Sequence, residues 1–441
     1  MNKTPSSTQI KKVLSIAMTA SLTLLATSCR RSPVTAGTGL VNNPSAAVGA
    51  PSGTQFNTFR GVRDAATSFV PGEVVVNFRQ AMNPQYLSQF AVQNGLQYVS
   101  TSRLGHSLFR QLNLNTDPNS AQTLTNLRRN PMVQSANLNA LFKRQFVIND
   151  PRASEQTGLA IIGMGKAWDL TTGSPSVTIA VIDSGADLQH PDLLPNLVPG
   201  YNVLNPGQPP QDDNGHGTHA SGIAAAAGDN GQGVTGACPR CKLMPVKVLD
   251  QTGGGDGFHV AEGLVWAVDN GAQVVNMSLG TESQEAAIPL TQAIKYALAR
   301  NVVVVVAAGN NASDTPMYPA ATPGVISVGS VDMQRNLSSF SNFGSWVSLV
   351  APGSGILSTM PVSSSYMTQN EGFKSEYDLM DGTSMASPMV AGVVGLIKSR
   401  HPNLTPAQIK QRLDGTAIDL GEPGFDLKFG NGMVDAFRAV L

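Results

Sequence analysis

Five consecutive valines, Val302-Val303-Val304-Val305-Val306, leave this chain little choice of fold. Neighbouring side chains in a strand point to opposite faces, so an unbroken apolar run needs a hydrophobic layer on each side. Such layers surround the central strand of a parallel sheet covered by helices. Val177-Thr178-Ile179-Ala180-Val181-Ile182 reads as a second buried strand, and residues 243–249, 273–279, 325–328 and 347–350 extend the set. Helical patterns at 216–227, 259–268, 286–300 and 384–398 separate them. The alternation predicts a doubly wound parallel α/β domain over 147–441, with its functional groups at the carboxyl ends of the strands.

The residues ahead of that domain fall into three segments. Lys11-Lys12 precede an apolar run, 13–25, that is too short to span a bilayer, so 1–29 reads as a signal peptide. It closes on Leu25-Ala26-Thr27-Ser28-Cys29, which resembles a bacterial lipoprotein signal with Cys29 as the lipidated residue, although the usual Leu is displaced by one position. An ordinary signal peptide with a chance Cys is the alternative. Residues 30–68 are rich in Gly, Pro, Ser, Thr, Asn and Ala and form a flexible linker. Over 69–146 the pattern is strand, helix, strand, strand, helix, strand, with the second helix capped by Asp117-Pro118-Asn119-Ser120. That order predicts a small α+β, ferredoxin-like unit.

Charge excludes some partners. The chain of 441 residues has 29 basic and 29 acidic side chains, and charged residues make up 13%, about half the usual share. Nucleic acid and acidic surfaces are therefore poor candidates. Polarity rests instead on Ser, Thr, Asn, Gln and 44 Gly, as suits an exported protein with many tight turns.

Polar groups stand where a parallel sheet displays its site. Asp183 directly follows an apolar strand, where a carboxylate is costly unless something uses it. Asn214-Gly215-His216-Gly217-Thr218-His219 opens a helix with an imidazole between glycines, and Ala307-Ala308-Gly309-Asn310 closes the valine strand with an amide. Gly382-Thr383-Ser384-Met385-Ala386-Ser387-Pro388 turns a loop into an apolar helix with Ser384 in its first turn, where unpaired N–H groups and the helix dipole favour negative charge. Taken singly, these are an Asx turn, a capping His, a turn Asn and an N-cap Ser. Together they provide a carboxylate to orient a His, a His to take the Ser proton and an amide to hold an oxyanion.

In this order the four segments closely resemble the subtilisin-like serine peptidases, the thermitase-like branch in particular, from about Asn149 to the C-terminus. The resemblance implies a serine endopeptidase made as a self-processing zymogen. Asp183, His216 and Ser384 would be its triad, Asn310 with the Ser384 N–H its oxyanion hole, and 69–146 its inhibitory propeptide. Competing readings are weaker. An α/β-hydrolase has its His after the nucleophile, and the only His after Ser384 is His401, in a His-Pro-Asn turn. His216 and His219 lack a third metal ligand nearby. A catalytically silent peptide-binding protein would not need all four positions filled.

The same resemblance supplies further expectations. Gly253-Gly254-Gly255 and Ser278-Leu279-Gly280 should pair with an extended peptide as added strands, and Ala307, Ala308 and Gly309 should wall the pocket for the residue before the scissile bond. Met317, next to Tyr318-Pro319, should lie near the floor of that pocket and make it shallow. One tight Ca2+ site is implied, with Asp150, Asp192, Gly228, Asn230, Gln232 and Val234 as ligands, against the alternative of an Asx-rich turn with no ion. A second site would have only Asp212 and Asp213. Cys238 and Cys241 would form a short disulfide in an oxidising compartment or remain a free pair. Processing is expected within Phe142-Lys143-Arg144-Gln145-Phe146-Val147-Ile148, in a chain that acts as a monomer.

Overall fold

The computed structural model describes residues 69–113, 120–140 and 148–441. The leader with Cys29, the linker over 30–68 and all of the processing stretch except Ile148 lie outside the described residues. The chain divides into two compact units, with the boundary between Gln145 and Phe146.

The first unit contains β1 (Phe69–Phe78), α1 (Pro84–Gln93), β2 (Leu96–Thr101), β3 (Ser107–Gln111), α2 (Ala121–Arg128) and β4 (Val133–Ala140). Its strands form an antiparallel sheet in the order β2-β3-β1-β4. Helix α1 starts on Asn83, whose side chain accepts from Tyr86 N, with Pro84 preset in a helical φ. Val74, Val76 and Phe109 from the strands meet Leu87, Phe90, Leu124 and Leu127 from the helices. Of the expected cap of α2, Asp117, Pro118 and Asn119 lie outside the described residues. Ser120 adopts a left-handed φ of 53° without a capping bond, and its Oγ donates to the side chain of Gln111 at 3.0 Å. A polar side chain buried at the end of β3 needs a partner inside the unit.

The second unit is built on a seven-stranded sheet: β5 (Thr178–Asp183), β6 (Tyr201–Asn202), β7 (Lys242–Lys247), β8 (Val274–Met277), β9 (Val303–Ala307), β10 (Ile326–Val331) and β11 (Leu349–Pro352). The order is β11-β10-β9-β8-β5-β7-β6, and all neighbours are parallel. Helices α3 (His216–Ala225) and α6 (Thr383–Arg400) cover one face, and α4 (Gly257–Asp269) and α5 (Ile288–Ala299) the other. Ile179, Val181, Val303 and Val305 join the first core, whereas Ala180, Ile182, Val304 and Val306 join the second. Each valine of β9 is thus buried on its own side. Val302 stays outside the strand because its N–H closes the turn out of α5 on Ala297 O.

Helix α6 is buried from Thr383 through Lys398. It approaches α3 so closely that a Cβ on Gly392 would lie 2.8 Å from Ala224 O and 2.4 Å from Ala237 Cβ. Beneath it, Cys238 and Cys241 are joined by a disulfide and wholly buried. An antiparallel ribbon, β12 (Ile356–Thr359) with β13 (Tyr377–Met380), has no counterpart in the sequence reading. Its strands of four residues are too short for a visible alternation. Ser358 Oγ and Thr359 Oγ1 donate to the carbonyls of His219 and Thr218, which ties the ribbon to α3.

Candidate active site

Asp183 is the last residue of β5 and follows Ile179 and Val181 on one face of the sheet, so its carboxylate points toward the layer of α3 and α6. It is fully buried. Its Oδ1 accepts from Ser184 N at 2.8 Å and lies 2.8 Å from His216 Nδ1, while Oδ2 has no hydrogen-bond partner among the described residues. His216 is the first residue of α3. Gly217 lets this helix start touch the turn after β5, because a Cβ there would sit 2.2 Å from Gly185 O.

Asp212 fixes the same helix start. It accepts from Ser184 Oγ, Asn214 N, Gly215 N, Thr218 N and Thr218 Oγ1, at 2.6 to 3.0 Å. A carboxylate at a helix N-terminus also faces the favourable end of the dipole. Asp213 pairs instead with the buried Lys247 at 2.7 Å. Lys247 Nζ further donates to the carbonyls of Ser184 and Leu249. Both acids considered for a second metal site are therefore engaged in holding the turn beside Asp183.

Ser384 stands in the first turn of α6, and its Oγ points to Ser278 O at 3.4 Å. Asn310 leaves β9 with its Oδ1 accepting from Thr383 N at 2.8 Å and Thr383 Oγ1 at 2.9 Å, which directs its NH2 the other way. Gly309, at φ 105°, donates to Thr383 Oγ1. Thr383 thus ties the amide loop to the helix that carries Ser384. Its position inside Gly-Thr-Ser was the available signal, and the sequence reading did not use it.

The other expected residues gather around these. Segment 278–280 leaves β8, 307–309 leaves β9, and Gly253-Gly254-Gly255 follows β7 on a turn held by Asp250 Oδ1, which accepts from Thr252 N and Gly254 N. Met317 bridges two of the segments: a Cβ on Gly280 would meet its Cγ at 2.9 Å, and a Cβ on Gly309 its Cε at 2.9 Å. The backbones of Thr281 and Tyr318 exchange hydrogen bonds of 2.7 Å and hold it there.

Elsewhere on the unit, two buried carboxylates share one loop. Asp150 accepts from the N–H groups of Asp229 and Asn230, and Asp192 from Asn230 Nδ2 and Val234 N. Gln232 N donates to Asn230 Oδ1, and Gly228 packs on Thr235, where a Cβ would lie 2.4 Å from Oγ1. Burial, with the like charge of Asp192, raises the Asp150 carboxyl above the usual carboxylate range. Among the described residues neither carboxylate has an ion-pair partner. Two such anions with amide and carbonyl oxygens nearby fit a hard cation. Among the described residues no group of three His, Cys, Asp or Glu side chains could hold a metal, so neutral oxygens would complete the shell.

The order of these groups along the chain, acid first and serine last, sets the arrangement apart from hydrolases with a nucleophile elbow. It fits a serine hydrolase on a parallel sheet. Comparison with known proteins gives the family. The model of the Subtilase family matches residues 174–432, and that of the fervidolysin N-terminal prodomain matches 60–139. A thermophilic serine proteinase of Bacillus sp. (strain AK1) is 37% identical over 374 residues, covering 85% of this chain and 88% of that protein. Thermitase of Thermoactinomyces vulgaris is 40% identical over 293 residues, 66% of this chain and 98% of the relative. The crystal structure of fervidolysin from Fervidobacterium pennivorans superposes with a TM-score of 0.60 at 27% identity, covering 86% of this chain and 62% of that one. The chain belongs to the subtilase family. It is a serine endopeptidase made as a zymogen with its own prodomain.

His219 is spent inside the fold. Fully buried, it places Nε2 3.1 Å from Asp378 O, and burial pushes its pKa down to about 3. The unfolded chain takes up this proton near the ordinary value of 6.5, whereas the folded chain holds out to about 3. Stability is therefore whole above pH 6.5 and falls as pH drops from there toward 3, by at most about 1.4 kcal/mol per pH unit. In thermal melts of the Ser384→Ala protein, His219→Gln should flatten this part of the pH profile. An unchanged slope would mean that another group carries it.

Proposed function

We propose that Asp183, His216 and Ser384 cleave peptide bonds through an acyl-enzyme, with Asn310 Nδ2 and the Ser384 N–H stabilising the oxyanion. The observation that carries this reading is the buried 2.8 Å contact between His216 Nδ1 and Asp183 Oδ1, which holds the ring in the tautomer that leaves Nε2 as base. Ser384 Oγ attacks the carbonyl carbon as Nε2 takes its proton, and Asp183 stabilises the imidazolium that forms. The same proton passes to the leaving amine, and water then repeats the sequence on the acyl-enzyme. Loss of one oxyanion donor typically costs about 10²–10³ in kcat.

An extended polypeptide would lie between Gly253-Gly254-Gly255 and Ser278-Leu279-Gly280 as an added strand, held by main-chain bonds. Ala307, Ala308 and Gly309 would wall the primary pocket. The reach of Met317 from Gly280 to Gly309 supports a shallow apolar pocket that disfavours large side chains. Asp150, Asp192 and the Asn230 amide, with carbonyls of Gly228, Gln232 and Val234, would hold one calcium ion. When bound, the ion would neutralise the carboxylates and stabilise the fold.

The chain is read as a signal peptide over 1–29, a linker over 30–68, an inhibitory propeptide over 69–146 and the peptidase over 147–441. With Cys29 lipidated, cleavage by Ser384 within 142–148 would sever the covalent link between lipid and peptidase, releasing the mature enzyme into the extracellular or periplasmic space.

Three experiments test these proposals. In cells expressing wild type or Ser384→Ala, a serine-directed fluorophosphonate should label only the wild type, and the variant should accumulate as a membrane-bound precursor. Mature wild type that partitions with membranes would overturn the release. Peptides carrying Ala, Leu, Phe or Tyr before the scissile bond should rank with the small residues ahead, and a clear Tyr or Phe preference would remove the role given to Met317. Chelation of the Ser384→Ala protein should lower its Tm by on the order of 10 °C if calcium was present far above its Kd. An unchanged Tm would argue against the ion.

A further inference from the structure

A proline inside a helix lacks the amide that would bond the carbonyl four residues earlier. In α6 that proline is Pro388, and the carbonyl deprived of its usual partner belongs to Ser384. It is bonded from outside the helix, by Ser278 Oγ at 3.0 Å. Ser278 Oγ accepts in turn from Asn276 Nδ2 at 3.0 Å, and Asn276 Oδ1 accepts from Ser387 Oγ at 2.7 Å. The bonds leave α6 at Ser387, cross to β8 and return to α6 at Ser384.

Asn276 lies between Val275 and Met277, which face the layer of α4 and α5, so its side chain enters the opposite layer with Val274. It is fully buried, as is Ser387, and Ser278 is nearly so. An amide in such surroundings is costly unless both ends are bonded, and here both are. The bonds also have a direction. Ser387 donates to the oxygen end and so turns the NH2 end toward Ser278. Because that NH2 occupies a lone pair of Ser278 Oγ, the hydroxyl proton is left for Ser384 O.

We propose that Asn276 is a positioning residue for the nucleophile. Acting through Ser278, it supplies Ser384 O with the hydrogen bond that Pro388 cannot give. The first turn of α6 is thereby fixed to segment 278–280. Ser384 Oγ faces Ser278 O as well, so the residue that reacts and a residue that lines the cleft are tied at two points. This inference rests on Ser384 being the nucleophile.

The test is a double-mutant cycle in the full chain after maturation, with kcat expressed per site titrated by an irreversible serine reagent. Asn276→Ala should lower kcat roughly 10–100-fold, the scale of a displacement of about 1 Å in a reacting group, and leave KM nearly unchanged. In a Pro388→Ala background the residue at 388 regains its N–H and can bond Ser384 O, so the same replacement should cost several-fold less. An equal loss in both backgrounds, or no loss in the first, would overturn the proposal. If Asn276→Ala fails to mature, Ser387→Ala breaks the chain at its other end and should show a fall in kcat with the same relief; an unaffected kcat there would also overturn it. Wild type that the reagent does not label would count against Ser384 itself, whereas labelled wild type with an insensitive cycle counts against Asn276 alone.

Discussion

Burial of the parallel sheet on both faces is the constraint on which the peptidase unit depends. With one apolar layer against α3 and α6 and another against α4 and α5, the strands leave polar groups few places except their ends. The carboxyl edge therefore collects Asp183, segment 278–280 and Asn310 from three adjacent strands, β5, β8 and β9. Helices α3 and α6 begin at that edge and bring His216 and Ser384. The groups converge because the layers permit little else.

Convergence alone would not hold a carboxylate and an imidazole in register. Short polar ties do that work. Asp212 gathers Ser184, Asn214, Gly215 and Thr218, and Lys247 ties the carbonyl of Ser184, after β5, to that of Leu249, after β7. Thr383 performs the equivalent task between Asn310 and α6. In each case a charged or hydroxyl side chain is buried and nearly saturated with bonds, the condition under which a buried polar group rigidifies its surroundings.

How much of this could be read beforehand depended on the range of each signal. The buried strands were legible because apolar runs mark two-sided burial, and the candidate catalytic residues because glycines and small residues flank them in tight turns. Limits of elements were less legible. Val302 belongs to a turn because of one bond to Ala297 O, and Ser120 turns away from its helix toward Gln111, a residue on another element. The ribbon of β12 and β13 is too short to show a period. The supporting polar residues were hardest to see. In the sequence Asp212 reads at most as a weak metal ligand, Lys247 carries no signal and Asn276 is one position in a strand, because their roles exist only once distant segments meet.

One consequence follows from the contact at Gly392. The helix that carries the serine meets there a backbone carbonyl of the helix that carries the imidazole, Ala224 O, with only the small Ala237 methyl packed beside it. Neither helix can slide or tilt a little without its neighbour. Partial loosening of this interface is therefore not a graded loss of fit but an opening of the core itself, because close-packed contacts have few intermediate arrangements. For such an enzyme, heat or denaturant should leave no wide interval in which the peptidase unit is folded yet idle: competence and compactness disappear together.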